Sequence, residues 1–305
     1  MNLNINKKCP NNDCVGDIDI KYQTNTENIE NINFSCTTNT YTKPTILKCN
    51  KCGILFSELI YKFEKNHFED NYQEVEDIKY VSQIEYKKNY FENFYKKIKD
   101  EFTNNSSVLE IGSYYGVLGS IIRDKVRKYA GLELSKHGSD YAIKNFNLNI
   151  YNETIENHLK KGIKYDVVIM ADVIEHFHDP FTVFNQIEKI LNKDGRIILT
   201  TFNMDSFYAK LTGYNYHWII PMHTIYFSNK TLGDLGKNNG MNLYKIENDP
   251  RYASVGYLLE KLSLIFPNIS FLFKLIMKLK FINKFSIKVN LGDLNIYYYK
   301  KNNLN

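Results

Sequence analysis

Apolar residues return at two different spacings along this chain. Ile78, Val81, Ile84, Phe91, Phe94, Ile98 and Phe102 recur every three or four positions, with a gap over 85–90. That period predicts helix from about residue 67 to 103, ended by Asn104-Asn-Ser-Ser107. From there the period alternates. Val108–Ile111, Lys128–Glu133, Tyr165–Ala171 and Gly195–Thr201 read as short buried strands, with a weak one at Asn149–Tyr151. Val117–Lys125, His137–Asn145 and Pro180–Leu191 read as the helices between them. Such alternation predicts a doubly wound α/β domain, a parallel sheet with helices on both faces. Right-handed crossovers then put the first strand near the centre and a ligand at the strand carboxyl ends. The tail departs from this pattern. Tyr244–Glu247 and Leu294–Tyr299 read as two more strands, and Tyr257–Phe285 as an apolar helical stretch broken at Pro267 and Asn268.

Before the helical segment lie two alternating runs, Asp17–Tyr22 and Ile46–Lys48, separated by a polar loop from Thr24 to Thr42. Each run adjoins a pair of cysteines: Cys9 with Cys14, and Cys49-Asn-Lys-Cys52-Gly. A Cys-x-x-Cys turn followed by glycine aims two thiolates at one point. Two such turns on separate hairpins suit a tetrahedral structural zinc site, which leaves no open position for chemistry. The wider Cys9–Cys14 gap suits a turn through Pro10. The rival is a pair of disulfides, disfavoured where thiols stay reduced. Cys36 is left over. The predicted organisation is a zinc module at 1–66, a helical linker at 67–105, and a main domain at 106–305 with a lid at 203–232 and a helical insertion at 254–288.

Composition narrows the function classes. Of 305 residues, 43% are hydrophobic and 24% charged, which excludes a wholly disordered chain. A net charge of +5 is too mild to imply nucleic acid. No apolar run reaches the ~18 to 20 residues of a membrane span. The start lacks the apolar core of a signal peptide, so a cytoplasmic chain is expected.

Candidate chemistry begins at Glu110-Ile-Gly112-Ser-Tyr-Tyr-Gly116, leaving the first strand. Gly112 permits a tight turn close to a ligand, and Gly116 lets the next helix approach the strand. Tyr114 stands where a dinucleotide fingerprint carries its middle glycine. Glu133 ends the second strand, where a carboxylate can accept two ribose hydroxyls. Ala171-Asp172-Val-Ile-Glu175-His176-Phe-His-Asp179-Pro180 leaves the strand Tyr165–Ala171, the fourth with the weak one counted. Asp179 is expected to cap the following helix, with Pro180 in its first turn.

Taken together, these motifs resemble a class I S-adenosylmethionine-dependent methyltransferase, with a Rossmann-like seven-stranded sheet, over roughly residues 106–300. Thr200-Thr-Phe-Asn203 and Trp218-Ile-Ile-Pro-Met-His223-Thr-Ile-Tyr-Phe227-Ser resemble a subgroup acting on bacterial sugars and surface polysaccharide. The four-cysteine module is similar to that of sugar C-methyltransferases, whose large extra C-terminal domain is not expected within these 305 residues.

The resemblance implies S-adenosylmethionine as cofactor. Glu110 and Gly112 would lie near its methionine end, and Glu133 at its ribose. Leu134 would cover the adenine, with Asn152 and Glu153 near the adenine amino group. Tyr114 and Gly116 belong to the same loop, the Tyr114 ring capping the cofactor. Ala171 and Asp172 would face cofactor and substrate. A hydroxyl or carbon-acid acceptor needs a base, and His176, His217 and His223 are the candidates. The aromatic run from Phe207 to Trp218 suits a sugar or another flat acceptor.

The acceptor implied is a small molecule, a sugar or nucleotide sugar. A quinone-like or lipid-linked acceptor is the rival, and a catalytically silent binding module the rival class. The stretch 258–285, dotted with lysines, reads either as a peripheral membrane contact or as a helical cover or homodimer surface.

Overall fold

In the computed structural model, residues 8–24, 29, 42–265, 267–277 and 286–302 are described. The chain begins with β1 (Ile18–Tyr22), β2 (Ile46–Cys49), β3 (Leu55–Ser57) and α1 (Leu59–Lys62). Cys36 lies outside the described residues.

The segment predicted as one long helix forms α2 (Lys65–Gln73), α3 (Ile78–Ser82) and α4 (Ile84–Ile98). Asp77 causes the main break. Its carboxylate accepts from the Tyr80 amide at 2.9 Å and so starts α3 afresh. The polar gap over 85–90 lies inside α4, because a helix needs only one face in contact with the core.

Strands and helices then alternate as β4 (Ser107–Ile111), α5 (Val117–Ile122), β5 (Lys128–Leu132), α6 (Lys136–Phe146), β6 (Ile150–Tyr151), α7 (Ile155–Leu159), β7 (Tyr165–Ala171), α8 (Pro180–Ile190) and β8 (Leu191–Phe202). Asp179 caps α8, accepting from the Phe181 and Thr182 amides, with Pro180 at its start. The region after β8 holds α9 (Phe207–Thr212), β9 (Ile225–Tyr226) and α10 (Asn229–Asn238). The tail holds β10 (Met241–Asn248), β11 (Arg251–Ser254), α11 (Val255–Ile265), α12 (Ser270–Met277), β12 (Ser286–Val289) and β13 (Leu294–Lys301). Of the stretch predicted as helix up to Phe285, residues 278–285 lie outside the described residues. The β11–β12 hairpin that brackets this arm carries no sequence signal strong enough to have been expected.

Seven strands form the main sheet in the order β10-β13-β8-β7-β4-β5-β6. β8, β7, β4, β5 and β6 run parallel, and β13 is antiparallel to β8 and to β10. This is the Rossmann-like methyltransferase sheet that the strand pattern and motifs led us to expect. Successive residues of the central strands feed opposite cores. Leu109, Val168, Met170 and Leu199 join one, while Val108, Val167, Ile169 and Ile198 join the other. Each such side chain contributes roughly 1.5–3 kcal/mol by leaving water. That two-sided burial explains why these strands read as unbroken apolar runs.

A second, antiparallel sheet runs β1-β2-β3-β9. Its first three strands come from the four-cysteine module. Its fourth strand, β9, comes from the segment expected as a lid.

Candidate functional site

A cavity of about 360 Å³ opens at the carboxyl ends of β4, β5 and β7. Its first wall is the loop after β4. Gly112 has φ +70°, and a Cβ there would lie 2.5 Å from Val173 Cγ2. Gly116 has φ +77°, and a Cβ there would lie 2.6 Å from Ala142 Cβ on α6. Both positions need glycine, for conformation and for space. Tyr114 adopts φ +46° without being glycine. Its amide donates to Glu133 at 2.6 Å, and the Ser135 amide donates to the other Glu133 oxygen at 2.7 Å. Backbone amides therefore hold the carboxylate in place at the end of β5 while it lines the cavity. The Tyr114 ring packs edge-on against Tyr80 and Tyr115, and its hydroxyl donates to Asp77 at 3.2 Å.

Glu110 accepts from the Tyr129 hydroxyl at 2.5 Å. Burial pushes its carboxyl up to about 8 despite that bond. Burial likewise raises Glu133 to about 7. Leu134 and Glu153 also line the cavity. The Glu153 carboxylate is already paired with His158 at 2.8 Å and Lys161 at 2.9 Å. Asn152 donates to the carbonyls of Glu133 and Leu134, both at 2.8 Å, and so braces the end of β5.

The opposite wall follows β7. Ala171 and Asp172 line it, and Asp172 takes φ +57°, a costly conformation for a non-glycine residue. Thr200 helps hold it there, its hydroxyl accepting from the Asp172 amide and donating to the carboxylate at 2.7 Å. Arg251, at the start of β11, clamps the same carboxylate through two bonds of 2.6 and 2.8 Å. Its guanidinium lies over the Tyr90 ring at 4.4 Å and reaches Asp249 at 3.3 Å. Burial raises the Asp172 carboxyl, but Arg251 outweighs it and leaves the group below the usual carboxylate range.

His176 and His223 meet in this wall, their rings edge to face at 4.7 Å. His223 Nδ1 is 2.8 Å from the Trp218 carbonyl. A carbonyl can only accept, so Nδ1 carries the proton and the Nε2 lone pair is left available. Burial lowers His176 to about 4 and holds His223 well below the ordinary histidine value. Both rings are therefore neutral near pH 7. Glu175 stands beside them, raised to about 8 by burial and by the Asp172 charge. The Glu175, His176 and His223 ligand atoms lie within 4.8 Å of one another, and Glu175 Oε2 and His176 Nδ1 are buried without a hydrogen-bond partner. His217 stands apart. It contacts Tyr208 and Trp218 and is not among the residues that line this cavity.

Two contributors escaped sequence reasoning. Arg251 sits in a segment with no motif, 79 residues from Asp172. The helices expected as a linker supply a wall through Phe68, Tyr72, Tyr80, Lys87, Tyr90 and Phe91. Their aromatic spacing was legible as a helix face, but not what it would cover.

In the N-terminal module, Cys9 and Cys52 sulfurs lie 3.6 Å apart, as do those of Cys14 and Cys49. All four lie within 4.8 Å of one another. A zinc tetrahedron with ~2.3 Å bonds has edges of about 3.8 Å, so the donor set fits that ion. Gly16 makes room, since a Cβ there would lie 2.8 Å from Cys49 Sγ.

A glycine-turn pocket at the carboxyl edge of a seven-stranded sheet, with a strand-end carboxylate, defines a nucleoside-cofactor enzyme of the class I methyltransferase fold. The methyltransferase-domain family model matches residues 84–246, more than half of the chain, and the chain belongs to that family. The match shows that it carries a methyltransferase domain. Among curated proteins it is similar to a ubiquinone biosynthesis O-methyltransferase of Pelagibacter ubique, 26% identical over 52% of this chain and 75% of that one. Another of the same name from Yersinia enterocolitica is 25% identical over 33% of this chain, which spans 45% of that relative's length. A solved S-adenosylmethionine-dependent methyltransferase from Archaeoglobus fulgidus shares the fold, with TM-score 0.51 and 17% identity over 74% of this chain and all of that one.

Proposed function

We propose that this enzyme methylates a hydroxyl of a small molecule, a sugar or nucleotide sugar of surface polysaccharide assembly, with His223 as the base. Glu110, Gly112, Tyr114, Gly116, Glu133, Leu134, Glu153, Ala171 and Asp172 surround the cofactor end. S-adenosylmethionine supplies an electrophilic methyl group there. The observation that carries the reading is His223, neutral, fixed in one tautomer by the Trp218 carbonyl, and lining the same cavity as Glu133. Its Nε2 takes the hydroxyl proton as the oxygen accepts the methyl group. Calorimetry with S-adenosylmethionine, followed by methyl uptake across a panel of nucleotide sugars, tests it. Absence of binding at tens of micromolar would sink the cofactor assignment. Uptake by phenols alone would sink the sugar.

A phenolic or lipid-linked acceptor is the second reading. The names of the two curated relatives favour it, and so does α12, which exposes Phe271, Leu272, Leu275 and Ile276. No helix among the described residues is long and apolar enough to cross a membrane, so such contact would be peripheral. The unpartnered Glu175 and His176 atoms support another use of this wall, as ligands with His223 for a divalent cation. Metal analysis distinguishes the uses: a second ion per chain, lost in Glu175→Gln, supports the cation. We assign structural zinc to Cys9, Cys14, Cys49 and Cys52.

A further inference from the structure

The four-cysteine module and the methyl-transfer wall are joined by strand addition. β3 pairs with β9 through Leu55–Tyr226 and Phe56–Ile225, and the Ser57 amide donates to the Thr224 carbonyl at 2.8 Å. His223 is the neighbour of Thr224. On its other side, the Thr224 amide donates to the Glu175 carbonyl at 2.8 Å, and its hydroxyl to the Phe177 carbonyl at 2.5 Å. His178 donates to the Ile60 carbonyl at 3.0 Å. Lys43 donates to the carbonyls of Tyr214 and Tyr216. Both segments that carry the paired histidines are thus bonded to residues 43–60. Phe56, Leu47 and Cys49 share one apolar cluster with Ile174, Ile225 and Phe227.

We infer that the four-cysteine module is a positioning element of the active site, fixing His223 through β3 and β9. The inference rests on the base assignment above. Its physical reason is the shortness of the strands. β9 has two residues and β3 three, too few to hold register alone. The turn that sets β3 on β2 is the one bearing Cys49 and Cys52, closed by Cys49 N–Ile54 O at 3.0 Å and Gly53 N–Cys49 O at 2.9 Å. Joining that turn to Cys9 and Cys14 locks it. Released, β3 loses its register, and β9 and the His223 loop loosen with it. The glycine loop is held instead by β5, since Gly112 and Ser113 amides donate to the Leu132 carbonyl. Cofactor binding should therefore survive.

The chain's one tryptophan gives a readout independent of turnover. Trp218 accepts from His223 through its carbonyl, and its ring lies parallel to Phe202, 8° between planes. The experiment compares the purified full-length protein before and after metal chelation, and a Cys52→Ser variant. It measures metal content, Trp218 emission, amide exchange at residues 224–226, S-adenosylmethionine affinity and turnover. Expected are a shifted Trp218 emission, exchange at 224–226 faster by about tenfold or more, turnover down by at least about tenfold, and cofactor affinity within about threefold. Unchanged emission and exchange after metal loss would overturn the inference. So would loss of cofactor binding in step with turnover, which would make the module a support of the whole fold. A purified protein holding no metal would overturn the clamp. If emission and exchange respond as expected but His223→Ala leaves turnover intact, the base assignment fails and the mechanical link stands.

Discussion

At one end of the cavity, Glu110, Gly112, Tyr114 and Glu133 come from a single strand–turn–helix–strand unit and are fixed largely by its own backbone. At the other, His176, His223 and Arg251 come from three distant segments, joined by side-chain and strand contacts. The first arrangement is local and largely backbone-bound, which suits the constant ligand proposed for it. The second depends on the N-terminal module, the segment after β8 and the arm bracketed by β11 and β12. Each of these can vary without disturbing the sheet, which suits the part of an enzyme that meets its particular acceptor.

The sharpest break between the two ends is His223→Ala. Turnover should fall by about 10³-fold with cofactor affinity nearly unchanged, measured by methyl transfer and calorimetry side by side. Next comes Arg251→Met, which leaves Asp172 and Asp249 without their shared cation. Since Arg251 and Asp172 keep 23% and 33% of their side-chain surface exposed, the stability loss should be modest, roughly 2 kcal/mol by urea unfolding. Glu133→Gln should weaken S-adenosylmethionine binding by roughly tenfold while sparing the fold, because the amide oxygen still accepts from one backbone donor.

The pH dependence sharpens the comparison further. The lowered value of His223 keeps the proposed base neutral, so the acid limb of kcat/KM should lie below the ordinary histidine value of 6.5. The effect on stability has the same sign. The unfolded chain takes up protons on His176 and His223 below about 6.5 and the folded chain does not, so their contribution is lost as pH falls below about 6.5, for His176 towards about 4. The smallest effect belongs to His217→Ala, which should change turnover by less than about twofold, because its ring meets Tyr208 and Trp218 rather than the cavity. A larger loss would move the acceptor end outward along the aromatic run.

The sequence was most legible where a signal is short-range. β7 spans the same Tyr165–Ala171 that the apolar run marks, and Asp179-Pro180 starts α8 as capping chemistry requires. The cysteine pairs converge as their turn spacing suggests. Legibility fails where a partner is remote. The break of the long helix at Asp77 lies in a stretch without glycine or proline and depends on a carboxylate that is also tied to Tyr114. β9 is too short to have a period.

By itself, then, the sequence determined the alternating domain, its glycine turn, its strand-end acid and the four-sulfur module, because periodicity, turn geometry and ligand spacing act over a few residues. Only the tertiary structure decided that the module's sheet takes its last strand from beside His223, that Arg251 clamps Asp172, and that the His217 ring packs on Tyr208 and Trp218. Those outcomes depend on which surfaces meet when the apolar faces bury one another, and no local spacing encodes that meeting.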